Sequence, residues 1–282
     1  GEVVQRIGEM IHNVKRRSRR LLGIGLAVPG TIDSDRGVAV HYNFIRDWQD
    51  VPLADTIGSE FEVPVFLENN IRSMALAERW FGQGRDVQDY LCIGIRSGIG
   101  SGLILGGELF RGNDNLAGEI GSWPCVDSHS HQLRTLEEVA SLPALLSEMA
   151  DQLRCGRVRS SMKLARNGVS TDSALRAIAD RDPLATAVIR QAADAVGRVI
   201  AQVHLLVNPQ RVFIAGPLAR FEREFIQPLR ESVLQWLPSH HGGGPTIVGS
   251  QLDSFIGAVG AAACAVHAWQ PATHNQSPRS SK

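Results

Sequence analysis

PVFLENNIRSMALAE, residues 64–78, is the stretch whose reading decides the fold. An apolar run ends on Glu68-Asn69-Asn70, and an amphipathic helix follows at once over Ile71–Phe81. A strand end that hands polar side chains to a helix start is a usual seat for a catalytic base in an α/β protein. Only one of the three polar groups is an acid, and an amide, Asn70, stands where a proton acceptor would be most useful.

Working outward, LLGIGLAV (21–28) reads as a buried strand closed by the turn pair Pro29-Gly30, and GVAVHYN (37–43) as another strand. Helices are predicted over Val3–Arg17 and Leu53–Phe61, and Gly82 suits the C-terminus of the helix begun at Ile71. DYLCIGIRSGIGSGLILGGELFRG (89–112) predicts paired strands around a glycine-rich loop, with a tight turn at Gly106-Gly107. NDNLAGEIGSWPCVDSHSHQLR (113–134) reads as loop, and one helix, bent at Pro143, is predicted from Thr135 to Leu153. Helices near 172–180, 183–207 and 219–236 alternate with strands at RVFIAG (211–216) and TIVGSQL (246–252). A closing helix over 254–269 is rich in small residues that allow close packing, and 271–282 is expected to be a disordered tail.

Two α/β halves with a glycine-rich hairpin between them predict two lobes. The first takes residues 1–85, to which the closing helix returns, and the second takes 86–253. A single dinucleotide-binding domain fits less well, because no GxGxxG follows a strand and opens a helix.

The totals narrow the function classes. Twenty-nine basic residues cancel 29 acidic ones, so no global charge points to nucleic acid or an anionic membrane. The local run Lys15-Arg16-Arg17-Ser18-Arg19-Arg20 reads as a solvated helix end. Four cysteines lie far apart with no CxxC pair, which predicts a reducing cytoplasm, and no apolar run has transmembrane length.

Two segments carry candidate chemistry besides the opening one. Ser97-Gly98-Ile99-Gly100-Ser101-Gly102 has glycines at alternate positions, so backbone N–H groups can approach a phosphate; a tight hairpin relieved of strain is the other reading. Glu119 stands between glycines in AGEIGSW (117–123), and Glu137 and Glu138 open a helix in RTLEEVAS (134–141). Thr135 and Glu138 have the spacing of a capping box, which leaves Glu137 free. If Glu68, Asn69, Glu119 and Glu137 converge, they form a set of acceptors suited to sugar hydroxyls. Cys125, His129 and His131 lack a visible fourth ligand for tetrahedral zinc, so no metal site is predicted there.

Taken in order, GIGLAVPGTID, HYNF followed by Trp48, PVFLENN with ALAE, SGIGSGLILGGELFRG, NLAGEIG, LEEVAS, RVFIAG and GAVGAA resemble the ROK family, named for repressors, open reading frames and sugar kinases. The resemblance covers roughly residues 20–265. It implies the two-lobed, actin-like, hexokinase-type α/β fold, with sugar in the cleft and, in the kinases, ATP and Mg²⁺ beside it. It further implies sugar contacts from Asn43, Glu68, Asn69, Glu119 and Glu137, and nucleotide or phosphate contacts from Ser97, Gly98, Gly100, Gly102 and Gly216.

Departures from the family pattern set the functional expectation. Asn70 occupies the position of the kinase base, and its amide is not a useful base at neutral pH. Ser122 and Thr135 stand where the family's zinc module has His and Cys, so the structural zinc is expected to be absent. Pro217 stands where the kinases commonly keep glycine. No acidic, glycine-rich phosphate loop precedes LLGIGLAV and the chain opens without Met, so a fragment lacking the first strands of the lobe is expected. The leading reading is the sugar-sensing domain of a transcriptional regulator that meets DNA only through an upstream domain. An ATP-dependent hexose kinase and a non-binding oligomerisation module are the alternatives, and family members are often homodimers or homotetramers.

Overall fold

The computed structural model describes residues 2–17, 21–42, 45–126, 132–156, 158–239, 243–252 and 255–269. The chain divides into two units, Gly1–Ala77 with Phe255–Lys282, and Glu78–Ser254. The first opens with helix α1 (Glu2–Arg17), followed by strands β1 (Ile24–Val28), β2 (Thr31–Asp33), β3 (Val38–His41) and β4 (Gln49–Val51). Helix α2 (Leu53–Phe61) then leads to β5 (Val65–Asn69) and α3 (Asn70–Phe81), and the unit boundary falls inside α3. Parallel β1 and β5 pair from Ile24↔Val65 to Val28↔Asn69, while β2, β3 and β4 form an antiparallel sheet. Ile32, Ala39 and Leu67 form one buried cluster, packed by Leu26, Val28, Trp48, Val51 and Leu53. Strands β2 and β4 escape the sequence reading because three residues carry no usable alternation.

The second unit holds β6 (Tyr90–Ile95), β7 (Ile99–Leu105), β8 (Glu108–Phe110), β9 (Pro124–Val126) and β10 (Leu133–Thr135). Helices α4 (Leu136–Ala140), α5 (Leu142–Cys155), α6 (Thr171–Ala179) and α7 (Pro183–Val207) follow, then β11 (Arg211–Ala215), α8 (Gln227–Trp236) and β12 (Thr246–Gly249). The sheet order is β12-β11-β6-β7-β8, with β11 parallel to both neighbours and β6-β7-β8 antiparallel. All six residues of β6 are buried, as a strand covered on both faces requires. Leu91, Ile93 and Ile95 join the α7 core, and Tyr90 meets Phe213 edge-on at 5.2 Å. Among the described residues no helix is long and apolar enough to cross a membrane.

Three sequence readings change here. The predicted helix from Thr135 to Leu153 is two helices, broken at Ser141 rather than bent at Pro143. Ser141 turns extended (ψ 159°) and caps α5, which leaves Pro143 in a first turn where its missing N–H costs nothing. The helix predicted over 219–236 starts as a 3₁₀ turn (Pro217–Arg220) and a π turn (Glu222–Ile226) before α8. Pro228 has no N–H to give, and Ile226 N instead reaches back to Phe221 O at 3.0 Å. The stretch read as loop over 113–134 supplies β9 and the first two residues of β10, which pair antiparallel. The basic run's Ser18, Arg19 and Arg20 and the tail 271–282 lie outside the described residues.

Helix α9 (Ile256–Trp269) returns to the first unit and packs on β1. Gly25 and Gly260 permit the approach: a Cβ on Gly25 would sit 1.9 Å from Ala261 O, and one on Gly260 would sit 1.6 Å from Ser73 O. In the second unit Glu78 is fully buried and its carboxyl is raised by that burial, against the opposing pull of hydrogen bonds from Ser250 Oγ and Gln83 N and of nearby Arg211.

Asp182 caps α7 through Leu184 N (3.0 Å) and Ala185 N (3.2 Å) and ties down the preceding loop through Ser160 and Ser161. Burial alone would raise its carboxyl, but the N–H groups of Ser161 and Ala185 and the two serine hydroxyls outweigh burial and hold it below the usual range. Two outcomes follow for chemical denaturation. Gly260→Ala should cost about 3 kcal/mol, because backbone must move to admit one methyl. Asp182→Ala should cost about 1–3 kcal/mol at neutral pH. A lowered folded pKa gives stability that is full above the unfolded value and lost as pH falls through the folded one, so the gap between wild type and variant should shrink on acidification.

Candidate functional site

Each unit places its candidate residues where parallel strands end. In the first, β1 and β5 finish together at Val28↔Asn69, so the turn Pro29-Gly30 and the start of α3 lie on one edge. No loop separates β5 from α3, and Asn69 makes that possible. Its Oδ1 accepts from Ile71 N (2.8 Å) and Arg72 N (3.2 Å), capping the helix, and its Nδ2 donates to Gly30 O (2.9 Å) across the edge. Glu68 is 1% exposed; its Oε1 accepts from Asn69 N (2.8 Å) and Ser34 Oγ (3.2 Å). Arg72 Nε lies 2.8 Å from the same oxygen without the alignment of a hydrogen bond, so the contact is a buried ion pair, and Arg72 Nη2 donates to Ile32 O.

Asn70 differs from both neighbours. It is half-buried at the first position of α3, and its side chain makes no hydrogen bond within the described residues. The amide is therefore available to a ligand hydroxyl, as donor and acceptor but not as base. Asn43 lies outside the described residues.

In the second unit the glycine loop is narrower than its sequence suggests. Gly100 and Gly102 belong to β7, opposite Gly94 and Cys92, and the turn is Arg96-Ser97-Gly98 alone, closed by Arg96 N donating to Gly98 O at 2.9 Å. Glu137 occupies one flank of this turn. Its Oε2 accepts from Ile99 N at 2.9 Å, and a Cβ on Gly98 would lie 2.4 Å from that oxygen. The expectation that Glu137 is left free is thus corrected: Thr135 and Glu138 do form the capping box, but Glu137 leans on the turn.

Gly118 O accepts from Ser101 N (3.0 Å) and Ser101 Oγ (2.7 Å), docking the segment that carries Glu119 onto β7. Gly118 and Gly121 allow the contact, since Cβ atoms there would meet the carbonyls of Ser101 and Ile99 at 2.4 and 2.0 Å. Gly216 follows β11 at φ +111°, where a Cβ would lie 2.2 Å from Ile95 O. Glu119, Glu137, the Ser97-Gly98 turn and Gly216 therefore belong to one assembly around the carboxyl ends of β6 and β11. The chain leaves β11 for β12 on one side while β6 lies on the other, a switch point of the kind that seats ligands.

Sequence reasoning missed Ser34, Arg72 and Ser101, which hold these residues in place. The Glu68–Arg72 spacing of four was legible, but a strand-to-helix junction gives no reason to expect a helical pair. No cluster of His, Cys, Asp and Glu suited to a metal occurs among the described residues; Cys125 lies in β9, and His129 and His131 fall outside them.

Comparison with known proteins gives a match to the ROK family over residues 2–268. Glucokinase of Thermotoga maritima is 29% identical over 93% of this chain and 84% of its own length. The transcriptional dual regulator NagC of Escherichia coli is 28% identical over 89% of this chain, which spans 63% of that protein. A solved ROK family transcriptional regulator, a homolog of the E. coli MLC protein, superposes with a TM-score of 0.83 at 25% identity, covering 94% of this chain and 67% of that one. The fold is the actin-like, hexokinase-type α/β fold expected from the sequence.

The adjacent asparagines should separate cleanly in denaturation experiments. Asn69→Ala loses the cap and the bond to Gly30 and should cost about 1–2 kcal/mol, whereas Asn70→Ala should change stability by no more than about 0.5 kcal/mol.

Proposed function

The chain belongs to the ROK family, and on that premise we propose that it is the sugar-sensing domain of a transcriptional regulator whose kinase chemistry is lost. Asn70 is the observation that carries this reading: at the strand-to-helix junction, an unengaged amide stands where the kinase members carry an ionisable acid. An amide can hold a hexose hydroxyl through two hydrogen bonds but cannot take its proton, and losing a general base typically costs about 10²–10⁴ in rate.

In this reading Glu68 and Asn69 act mainly by fixing the backbone that presents Asn70. Sugar occupancy then regulates by binding one conformation better than another, and the shift it produces is bounded by that difference in affinity. The regulator relatives extend beyond the part matched here, so DNA recognition by the whole protein belongs to the proposal as well.

Calorimetry with glucose, xylose, N-acetylglucosamine and N-acetylmannosamine, run without ATP, should find at least one ligand. A coupled assay with ATP and Mg²⁺ should show sugar-dependent ADP release far below the roughly 1–10³ s⁻¹ of ordinary enzymes. Asn70→Asp should raise any residual rate. Turnover in the ordinary range by the unaltered chain would overturn the reading in favour of a sugar kinase.

A further inference from the structure

Glu78 is a fully buried acid that takes no part in the candidate site. It lies in the last turn of α3, where the chain enters the second unit. Its Oε2 accepts from Gln83 N at 3.0 Å, and its Oε1 accepts from Ser250 Oγ at 2.5 Å. Ser250 follows β12, just before the chain leaves the unit at Ser254, and its Oγ also accepts from Leu252 N at 3.3 Å. One carboxyl therefore joins the unit's point of entry to its point of exit, 172 residues apart in the chain. The space is shaped to it: a Cβ on Gly82 would lie 2.0 Å from Oε2.

The groups that face this carboxyl do not neutralise it by contact. From β6 come the Cys92 thiol and the Tyr90 phenol, both pushed up by burial and uncharged, and from β11 comes Arg211. Arg211 gives its Nη1 to Gln83 O at 2.7 Å, and Arg79, next to Glu78 on α3, gives its own to Arg85 O. Among the described residues Glu78 makes no ion pair, whereas Glu68, as deeply buried, holds Arg72. A buried carboxylate without a counter-ion is costly, and burial raises this carboxyl accordingly. Protonation keeps the junction intact, because the new O–H can donate to Ser250 Oγ while the other oxygen still accepts from Gln83 N.

We infer that Glu78 is a proton-linked latch, closed while its carboxyl joins Gln83 to Ser250 and opened when water reaches the carboxyl and takes its proton. Acid holds entry and exit together, and alkali releases them. The sign follows from linkage: a carboxyl raised in the closed state favours closure at low pH. That preference is lost as pH climbs from the ordinary carboxylate range to the raised value. The latch does not depend on which ligand Asn70 meets.

Amide hydrogen exchange, read by NMR on the full chain, tests this at Gln83 and Leu252, with the amides of β6 as the global reference. Corrected for intrinsic rates, both reporters should accelerate together above the ordinary carboxylate range, by up to about tenfold per pH unit for one proton released, and then level off. The β6 amides should stay slow. Glu78→Gln has no proton to release and should make both reporters independent of pH. Ser250→Ala removes no bond of the Gln83 amide, yet should speed its exchange at least about tenfold. Reporters that exchange independently, a Gln83 rate unmoved by Ser250→Ala, or a pH response that persists in Glu78→Gln overturns the latch. An equal pH response in β6 also overturns it, since the acid would then govern the whole fold. If Glu78→Gln does not fold, carbon-13 titration of the Glu78 carboxyl in the wild type decides. Titration above the ordinary range, in step with Gln83 exchange, upholds the latch, and titration within or below that range overturns it.

Discussion

The carboxylate of Glu68 and the guanidinium of Arg72 meet inside the first unit, and the geometry of the junction depends on that buried pair. Glu68 is the penultimate residue of β5 and Arg72 lies in the first turn of α3, so the pair clamps strand to helix across the point where the backbone changes conformation. Removing either partner would leave an unpaired charge in a place with no water to receive it, a cost of about 3–5 kcal/mol. Asn69 completes the clamp by capping the helix and bonding Gly30 at the end of the neighbouring strand. What remains is Asn70, held by its backbone and unoccupied at its side chain. The fold thus fixes two polar neighbours in order to present the third.

A comparable division of labour operates in the second unit. Gly98, Gly118, Gly121 and Gly216 are small because carbonyls and one carboxylate occupy the space a side chain would need. They bring the segment carrying Glu119 onto β7, the carboxylate of Glu137 onto the turn, and the end of β11 against the end of β6. The alternating glycines of the 97–102 segment do not make a broad phosphate cradle, since two of them are strand residues and the Ile99 N–H is already engaged by Glu137. Arg96, which follows β6, makes no side-chain hydrogen bond or ion pair within the described residues.

Thr135 shows how one residue can be read two ways from sequence. By resemblance it stands where a zinc-binding cysteine is usual, and by spacing it caps a helix with Glu138. The structure gives it the second role in full, with its hydroxyl accepting from Glu138 N and its own N–H donating to the Glu138 carboxylate. A threonine at this position therefore makes a sound helix start.

The sequence by itself determined the fold class, the alternation of elements, the capping box at Thr135, the small-residue closing helix and the amide at position 70. All of these are encoded locally, in periodicity, in turn chemistry, or in one side chain at a strand end. The three-residue strands, the break at Ser141 and the π turn before Pro228 were only partly legible, because each is settled by how the backbone meets its neighbours. Tertiary structure alone decided that Glu68 is locked in an ion pair, that Glu137 leans on the Ile99 N–H, and that Arg96 lies along Gly216 without an acceptor. The placements of Glu137 and Arg96 join residues far apart in the chain, and the Glu68–Arg72 pair, only four residues apart, depends on the junction that buries it. Local propensity therefore carries no information about which buried charge will find a partner.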